Sequence, residues 1–145
     1  MRPSSCRIGA LAIVAVASIV LSGCGAGHPG AKAGGTVVHV AERDFHIKVP
    51  KRLPAGDLVL SVRNRGPDAH ELIVIRKTSA GFPLRSDGST LDEEGLEKAE
   101  AGALEPGDPT GVRELRVHLT PGRYEFLCNM AGHYLGGMRK QVVVE

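Results

Sequence analysis

Residues 124–138 have the sequence YEFLCNMAGHYLGGM, and they are the most informative part of the chain. The stretch begins as a β-strand pattern that follows a Pro-Gly turn. A thiol, an imidazole and a thioether then come at five-residue spacings, on Cys128, His133 and Met138. The glycines between them give the backbone freedom to curl around one point. The stretch therefore predicts a strand that ends in a metal-binding loop.

The donor atoms of this loop indicate copper. Thiolate, thioether and imidazole select copper, and two histidines, one cysteine and a weak methionine make an electron-transfer site. A second histidine must come from elsewhere. His70 is the natural candidate, because it begins a buried strand pattern at residues 70–75. Each residue alone has an ordinary explanation as a buried thiol, a gap-filling thioether or a solvated imidazole, but their combination favours a metal site.

From residue 36 onward, apolar and polar residues alternate with a period of two, which indicates strands. About seven short strands separated by Pro and Gly turns predict an all-β, antiparallel sandwich. His39, His46 and His118 fall on outward faces and are left out of the site. The apolar residues of the pattern are Val38, Val40, Phe45, Ile47 and Val49; Leu58, Leu60 and Val62; residues 70–75; Leu115, Val117 and Leu119; residues 124–128; and residues 142–144.

One segment, residues 79–111, does not alternate. Within it, residues 91–100 (LDEEGLEKAE) are helix-forming, with acidic residues near the start, so we expect a short surface helix in a long loop. The acidic residues of that helix would suit a basic partner, although a solvated helix face is the commoner explanation.

The N-terminus has the features of an export signal. Arg2 and Arg7 precede an uncharged run over residues 8–21. The run has about 14 residues, whereas a membrane-spanning helix needs roughly 20. The sequence Leu-Ser-Gly-Cys that ends at Cys24 resembles a lipobox, in which the cysteine is acylated and becomes the mature N-terminus. We therefore predict a lipoprotein signal peptide at 1–23, a Gly- and Ala-rich tether at 24–35 and one domain at 36–145. His28 lies in the tether and is expected to be solvated.

The cysteine count and the charge exclude several classes of protein. Cys6 is lost with the cleaved signal peptide and Cys24 carries the lipid, so Cys128 is the one free thiol of the mature chain. The mature chain therefore has too few cysteines for a disulfide scaffold or a four-cysteine zinc site. Loss of Arg2 and Arg7 leaves 16 basic residues, equal to the 16 acidic ones. A neutral chain with five aromatic residues does not resemble a nucleic-acid binder.

The chain resembles the cupredoxins, the small blue copper proteins. Residues 69–74 (AHELIV) resemble the segment with the first histidine ligand, and residues 124–138 resemble the segment with the other three ligands. The spacing of Cys128, His133 and Met138 is similar to that in rusticyanins, auracyanins and sulfocyanins. The resemblance covers residues 36–145 and implies a two-sheet Greek-key β-sandwich of seven or eight strands with one copper ion at one end.

The resemblance also implies roles for individual residues. His70 and His133 would bind copper through imidazole nitrogen, Cys128 through thiolate and Met138 as the weak axial ligand. Many cupredoxins have an asparagine after the first histidine, where this chain has Glu71, so the bracing of the two ligand segments must differ here. The candidates for that bracing are Asn129, Glu71, Asn64 and Asp68.

The function expected from these features is electron transfer by an exported, lipid-anchored, monomeric carrier. Its partners would be redox proteins such as a respiratory oxidase or reductase, which would dock on an apolar patch around the edge of His133. An extracytoplasmic copper chaperone that delivers copper to an oxidase would use the same four ligands. A copper enzyme is disfavoured because such enzymes need more histidines, and the chain has no His-x-His motif. The residues expected in the apolar patch are Met130, Ala131, Tyr134 and Leu135.

Overall fold

The computed structural model describes residues 34–145. The predicted signal peptide, Cys24 and all but the last two residues of the predicted tether lie outside the described residues. The strands are β1 (Thr36–Arg43), β2 (His46–Lys48), β3 (Arg52–Leu53), β4 (Gly56–Asn64), β5 (His70–Arg76), β6 (Glu100–Gly107), β7 (Val112–Leu119), β8 (Gly122–Leu127) and β9 (Arg139–Val144), and the helix is α1 (Glu93–Glu97).

The strands form two sheets, which confirms the predicted β-sandwich. One sheet has the order β2-β1-β4-β7 and the other β3-β9-β8-β5-β6. The expectation of a purely antiparallel sandwich is wrong, because β1 pairs with β4 and β3 pairs with β9 in parallel. Between β1 and β4 the chain crosses to the second sheet, where it forms β3. This crossover allows β4 to run parallel to β1 when the chain returns to the first sheet.

The core lies between the two sheets, and alternation predicts most of it correctly. Its residues occupy the inward positions of β1, β4, β5, β7, β8 and β9, and removing each large aliphatic side chain from water contributes about 1.5–3 kcal/mol. The fully or nearly fully buried members include Val38, Val40, Ile47, Leu58, Leu60, Val62, Leu72, Val74, Leu119, Phe126, Val142 and Val144.

Phe45 departs from the predicted pattern. It was expected on the inward face with Ile47 and Val49, but its side chain is 50% exposed. Arg43 pairs directly with His46, so Asp44 and Phe45 form the two-residue turn between β1 and β2. Phe45 has a φ of 58°, in the left-handed region, which interrupts the strand alternation and turns its ring away from the core.

The segment over residues 79–111 is more ordered than a long loop. The expected helix is confirmed, although it is shorter, and the Asp92 carboxylate caps it by accepting a hydrogen bond from the Gly95 N–H (2.9 Å). The helix is followed by β6, which pairs with β5 as an edge strand. No residue of β6 is fully buried, so the strand lacks the apolar and polar alternation of a half-buried strand, and for this reason β6 was not predicted.

Residues 79–99 of this segment, which we call the insert, cover the outer face of the five-stranded sheet. Leu91 and Leu96 pack with Ile75 and Leu127 in a second buried cluster. This explains why β5 is apolar on both faces: one face contacts the main core and the other contacts the insert. In residues 34–145, no helix has the length and apolar composition needed to cross a membrane.

Candidate metal centre

Three side chains converge at one end of the sandwich. His70 begins β5, whereas Cys128 and His133 lie in the loop between β8 and β9, and each offers a ligand atom within 4.8 Å of the other two. Cys128 and His70 are fully buried and His133 is half-buried. The structure therefore brings together three of the four residues proposed as ligands from the sequence, through a contact between segments 58 residues apart.

The two imidazoles point the same nitrogen at the centre of the cluster. His70 Nδ1 lies 3.3 Å from His133 Nδ1, and His133 Nδ1 lies 3.4 Å from the sulfur of Cys128. When both Nδ1 atoms carry lone pairs they repel each other at this distance, and a cation between them and the sulfur removes the repulsion. The cluster therefore has the geometry of a site for one metal ion.

Met138 is connected to this cluster through the backbone. The Cys128 N–H donates to the Met138 carbonyl (3.1 Å), and the Met138 N–H donates to the His133 carbonyl (2.9 Å). The Met138 side chain is fully buried and belongs to the same core as Cys128. Met138 therefore belongs to the buried core and is tied by its backbone to both Cys128 and His133.

The thiol of Cys128 is in an environment that favours a metal-bound thiolate. Burial raises the pKa of the Cys128 thiol to about 11, although hydrogen bonds from the Met130 and Glu71 backbone amides oppose the shift. Without a cation the buried sulfur stays protonated at neutral pH, whereas a bound metal ion displaces the proton. The two amides would then stabilise the thiolate.

His70 is held by a carboxylate that sequence reasoning did not identify. Asp44 Oδ1 lies 3.1 Å from His70 Nε2, and a carboxylate can only accept, so Nε2 carries the proton and Nδ1 is free as a ligand. A Cβ at Gly66 would overlap Asp44 Oδ1 and lie 3.1 Å from Nε2. Burial lowers the pKa of His70, and the neighbouring His133 acts in the same direction, while Asp44 opposes them. Asp44 was missed because only the β1–β2 turn brings it to the site.

The structure places the four residues named as candidates for bracing close to the site. Glu71 Oε1 accepts a hydrogen bond from the Asn129 N–H (2.6 Å), which joins β5 to the loop after Cys128. The Asn129 side chain is bonded to both backbone groups of Leu91 in the insert. Asn64 accepts from the Gly66 N–H (2.9 Å) and donates to the Asp68 carbonyl (2.7 Å), which orders the turn before His70. Asp68 thus contributes its backbone carbonyl to this bracing.

The insert supports the ligand loop at a second point. The Gly132 N–H donates to the Ser89 carbonyl (2.9 Å), immediately before His133. Together with the Asn129 contacts to Leu91, this bond connects the insert to both ends of the segment between Cys128 and His133. No sequence pattern indicates this role, because it depends on backbone groups of Ser89 and Leu91.

An apolar surface surrounds the exposed edge of His133. The ring of Phe45 contacts the His133 ring edge to face, with 5.5 Å between centroids, and a Cβ at Gly136 would overlap the Phe45 ring. Leu135 is 51% exposed and Ala131 is also exposed. Met130 and Tyr134, the other residues expected in the patch, are half-buried. Phe45 was not expected in this apolar surface, but its exposed ring adds to the apolar area around His133.

The donor set fits copper. One cysteine sulfur and two imidazole nitrogens converge, with a thioether sulfur buried in the same core, and this combination of soft and borderline donors is that of a type 1 copper site. Among the described residues, no other group of three or more His, Cys, Asp or Glu side chains is arranged to hold a metal ion.

Solved structures with the same fold include auracyanins and rusticyanins. Auracyanin from Roseiflexus castenholzii is 19% identical with a TM-score of 0.57, over 77% of this chain and 99% of that one. Auracyanin A, a "blue" copper protein from Chloroflexus aurantiacus, is 16% identical with a TM-score of 0.57, over 77% and 100%. Rusticyanin from Thiobacillus ferrooxidans is 18% identical with a TM-score of 0.51, over 77% and 79%.

These similarities establish the fold, which is the cupredoxin β-sandwich. No protein-family profile matches the sequence, and no curated protein sequence matches it. The fold is therefore shared with proteins of low sequence identity. The evidence for the metal centre comes from the side chains of this chain that converge at one end of the sandwich.

Proposed function

We propose that the protein is a type 1 copper protein that carries single electrons between redox partners outside the cytoplasm and that it is not an enzyme. The observation that carries this proposal is the convergence of His70, Cys128 and His133 within 4.8 Å, together with a buried Met138 whose backbone is bonded to Cys128 and His133. Copper bound there would supply one-electron chemistry by alternating between its cuprous and cupric states.

The protein's own contribution is a rigid set of ligands. Cys128 follows the last residue of β8, and His70 is fixed by strand pairing at one end of β5 and by the Asp44 carboxylate on its far side. The loop between Cys128 and His133 is held by hydrogen bonds that its backbone amides donate to the insert and to Glu71. Ligands that keep one arrangement in both oxidation states lower the reorganisation that accompanies each electron transfer.

His133 is the natural exit for electrons. Its ring is half-buried and contacts the exposed Phe45 ring, whereas the His70 ring is completely enclosed. A redox protein that covers the apolar surface around Phe45 and Leu135 would approach the site through this single imidazole. Such a surface suits transient contact with a partner, here proposed to be a respiratory oxidase or reductase.

The absorption spectrum of the purified protein with added copper tests the proposal. We expect an intense visible band from thiolate-to-copper charge transfer that disappears reversibly on reduction, and we expect Cys128→Ser to abolish the band. The matched control is His118→Ser, which removes an exposed imidazole outside the site and should leave the band unchanged. A wild-type protein that binds no copper, or binds it without this band, would refute the proposal.

The alternative function, a copper chaperone, predicts a different behaviour. Delivery requires a labile site, whereas the described donors are largely buried and braced on several sides. We therefore expect copper to stay bound through repeated reduction and oxidation. Rapid transfer of copper to a metal-free acceptor protein would instead support the chaperone.

The proposed location is the outer face of a membrane, through a lipid on Cys24. The support for this part is the sequence, in which an uncharged run ends in Leu-Ser-Gly-Cys. Expression of the full chain in a bacterial host should give a membrane-bound protein that partitions into detergent. Cys24→Ser should release it from the membrane fraction, and an unchanged fractionation would exclude the lipid anchor.

A further inference from the structure

A groove with a strongly basic lining lies on the outer face of the four-stranded sheet. Its volume is about 570 Å³, and Lys48, Arg63, Arg65 and His39 line it together with the exposed Val112. No acidic residue lines it. We call this feature the basic groove.

The cations of the basic groove are not neutralised within the domain. Among the described residues, Lys48, Arg63 and Arg65 form no ion pair. Strand pairing places two acidic residues, Glu114 and Asp57, on the same face outside the groove, and Asp57 is bonded to His118 (2.7 Å). The groove therefore presents uncompensated positive charge to solvent.

One end of the basic groove adjoins the metal centre. The Arg65 N–H donates to the Glu42 carbonyl (2.7 Å), and the next residue, Gly66, lies against Asp44 Oδ1 and His70 Nε2. Arg43, also exposed, precedes Asp44 on the adjoining turn. Two acidic residues flank this end as well, Asp68, which is exposed, and Asp44, which faces His70. An occupant of the groove would thus reach the turn that carries Phe45 beside His133.

We propose that the redox partner is an acidic protein that docks with its apolar contact on Phe45 and Leu135 and an acidic segment in the basic groove. This inference rests on the proposed electron-transfer function. Uncompensated cations attract an anionic partner, orient it and raise its association rate. A concave groove suits a protruding protein segment, whereas the flat surface of an anionic bilayer cannot enter it.

Small redox reagents of opposite charge test the electrostatic part of the proposal. The reduced full-length protein is oxidised by hexacyanoferrate(III), an anion, or by tris(phenanthroline)cobalt(III), a cation, each of which accepts one electron from the cuprous site. At about 0.1 M salt, we expect Arg63→Glu with Arg65→Glu to slow the reaction with hexacyanoferrate about tenfold and to speed the reaction with the cobalt complex.

The control is an equal change of charge at the opposite end of the domain. Arg116 pairs with Val59, four residues and roughly 13 Å before Arg63 along β4, and Arg123 lies near the start of β8, far from Cys128. At about 0.1 M salt, charges more than about 10 Å apart are largely screened. Arg116→Glu with Arg123→Glu should therefore leave both rates nearly unchanged. Equal effects of the two double variants would contradict the proposal.

Poly-L-glutamate tests the docking part and does not depend on copper. Labelled poly-L-glutamate should bind the metal-free protein, as measured by fluorescence anisotropy, and the Arg63→Glu, Arg65→Glu variant should lose this binding while the control double variant keeps it. Absence of binding, or a preference for phosphatidylglycerol vesicles that depends on the same arginines, would overturn the proposal. If poly-L-glutamate binds but the wild type exchanges no electrons, the proposed function fails and the acidic-partner site stands.

Discussion

The two imidazoles of the candidate site are held in opposite ways. His70 begins a paired strand, is completely buried, and has the Asp44 carboxylate on its far nitrogen. His133 lies in a glycine-rich loop, is half-buried, and has the edge of an exposed phenyl ring, that of Phe45, as its neighbour. The imidazole of His70 thus lies in a polar, enclosed environment, whereas the imidazole of His133 lies in an apolar, open one.

This difference assigns a task to each side. The His70 side fixes the position and tautomer of a ligand, since strand pairing and a charged hydrogen bond both restrain the ring. The His133 side connects the site to the surface, and its neighbours are suited to brief contact with another protein. Variants that alter one side at a time test this division.

Removal of either ring should abolish the visible copper band, but only one loss should be reversible. In His133→Gly, the half-buried ring leaves an opening to solvent, so added imidazole can enter and restore the band. In His70→Gly, the cavity is sealed, because His70 is fully buried. Absorption spectra of both variants with copper and imidazole make the comparison.

His46→Gly is the control for this pair, because His46 is exposed on β2 and should keep the band without imidazole. Restoration of the band in His70→Gly to the same extent as in His133→Gly would show that the two sides do not differ in access.

A buried carboxyl group on the His70 side should make folding stability depend on pH. Glu42 is completely buried; its Oε2 accepts from Arg113 (2.9 Å), which also donates to the His70 carbonyl (3.1 Å), and its Oε1 has no partner among the described residues. Burial raises the pKa of Glu42 from 4.5 to about 7, with Arg113 opposing the shift. The His133 side has no such carboxyl group, because the loop from residue 129 to 138 contains no acidic residue.

The raised pKa of Glu42 determines the direction in which stability changes with pH. Between pH 4.5 and 7 the folded protein keeps a proton that the unfolded chain releases, so the free energy of unfolding falls as the pH rises through this window, by on the order of 3 kcal/mol. Denaturant titration of the metal-free protein at several pH values should show this fall, and Glu42→Gln should remove most of it, leaving a smaller fall from Glu71, whose pKa burial also raises. Glu114→Gln, an exposed change, should retain the full fall; a pH dependence that survives undiminished in Glu42→Gln would assign the effect to another group.

The part of the site that the sequence predicts is the part that lies in continuous segments. The ligand loop and the strand beginning at His70 each have a readable pattern, and the resemblance to cupredoxins joins them. The contacts made by Asp44, Phe45 and the insert could not be predicted. Asp44 and Phe45 owe their positions to a turn with a left-handed residue, and the insert acts through the backbone of Ser89 and Leu91, which has no sequence signature.

The parallel strand pairs and β6 illustrate the same limit for the fold. Alternation reports which face of a strand is buried, but not which strand lies beside it, so the pairing of β1 with β4 is not visible in the sequence. The edge strand β6 lacks alternation because none of its residues is fully buried, and its pairing with β5 uses backbone groups that have no sequence pattern.

The sharpest comparison of the two sides uses neighbouring residues of one turn, Asp44 and Phe45, which contact one imidazole each. Asp44→Ala removes the acceptor that fixes the Nε2–H tautomer of His70, and we expect a 10- to 100-fold loss of copper affinity, as for other supporting residues of metal-bound histidines. Asp44→Asn keeps a side-chain oxygen in reach and should recover part of the loss. Phe45→Ala removes an edge contact worth about 0.5 kcal/mol and should change the affinity by less than about threefold.

Competition titration with a copper chelator measures these affinities. The ring nitrogen chemical shifts of His70 in the metal-free protein report its tautomer independently of copper. We expect the tautomer to become mixed in Asp44→Ala and to stay fixed in Phe45→Ala. Equal losses of affinity in the two alanine variants, with an unchanged His70 tautomer in both, would mean that the carboxylate does not position the ligand and that the strand alone does.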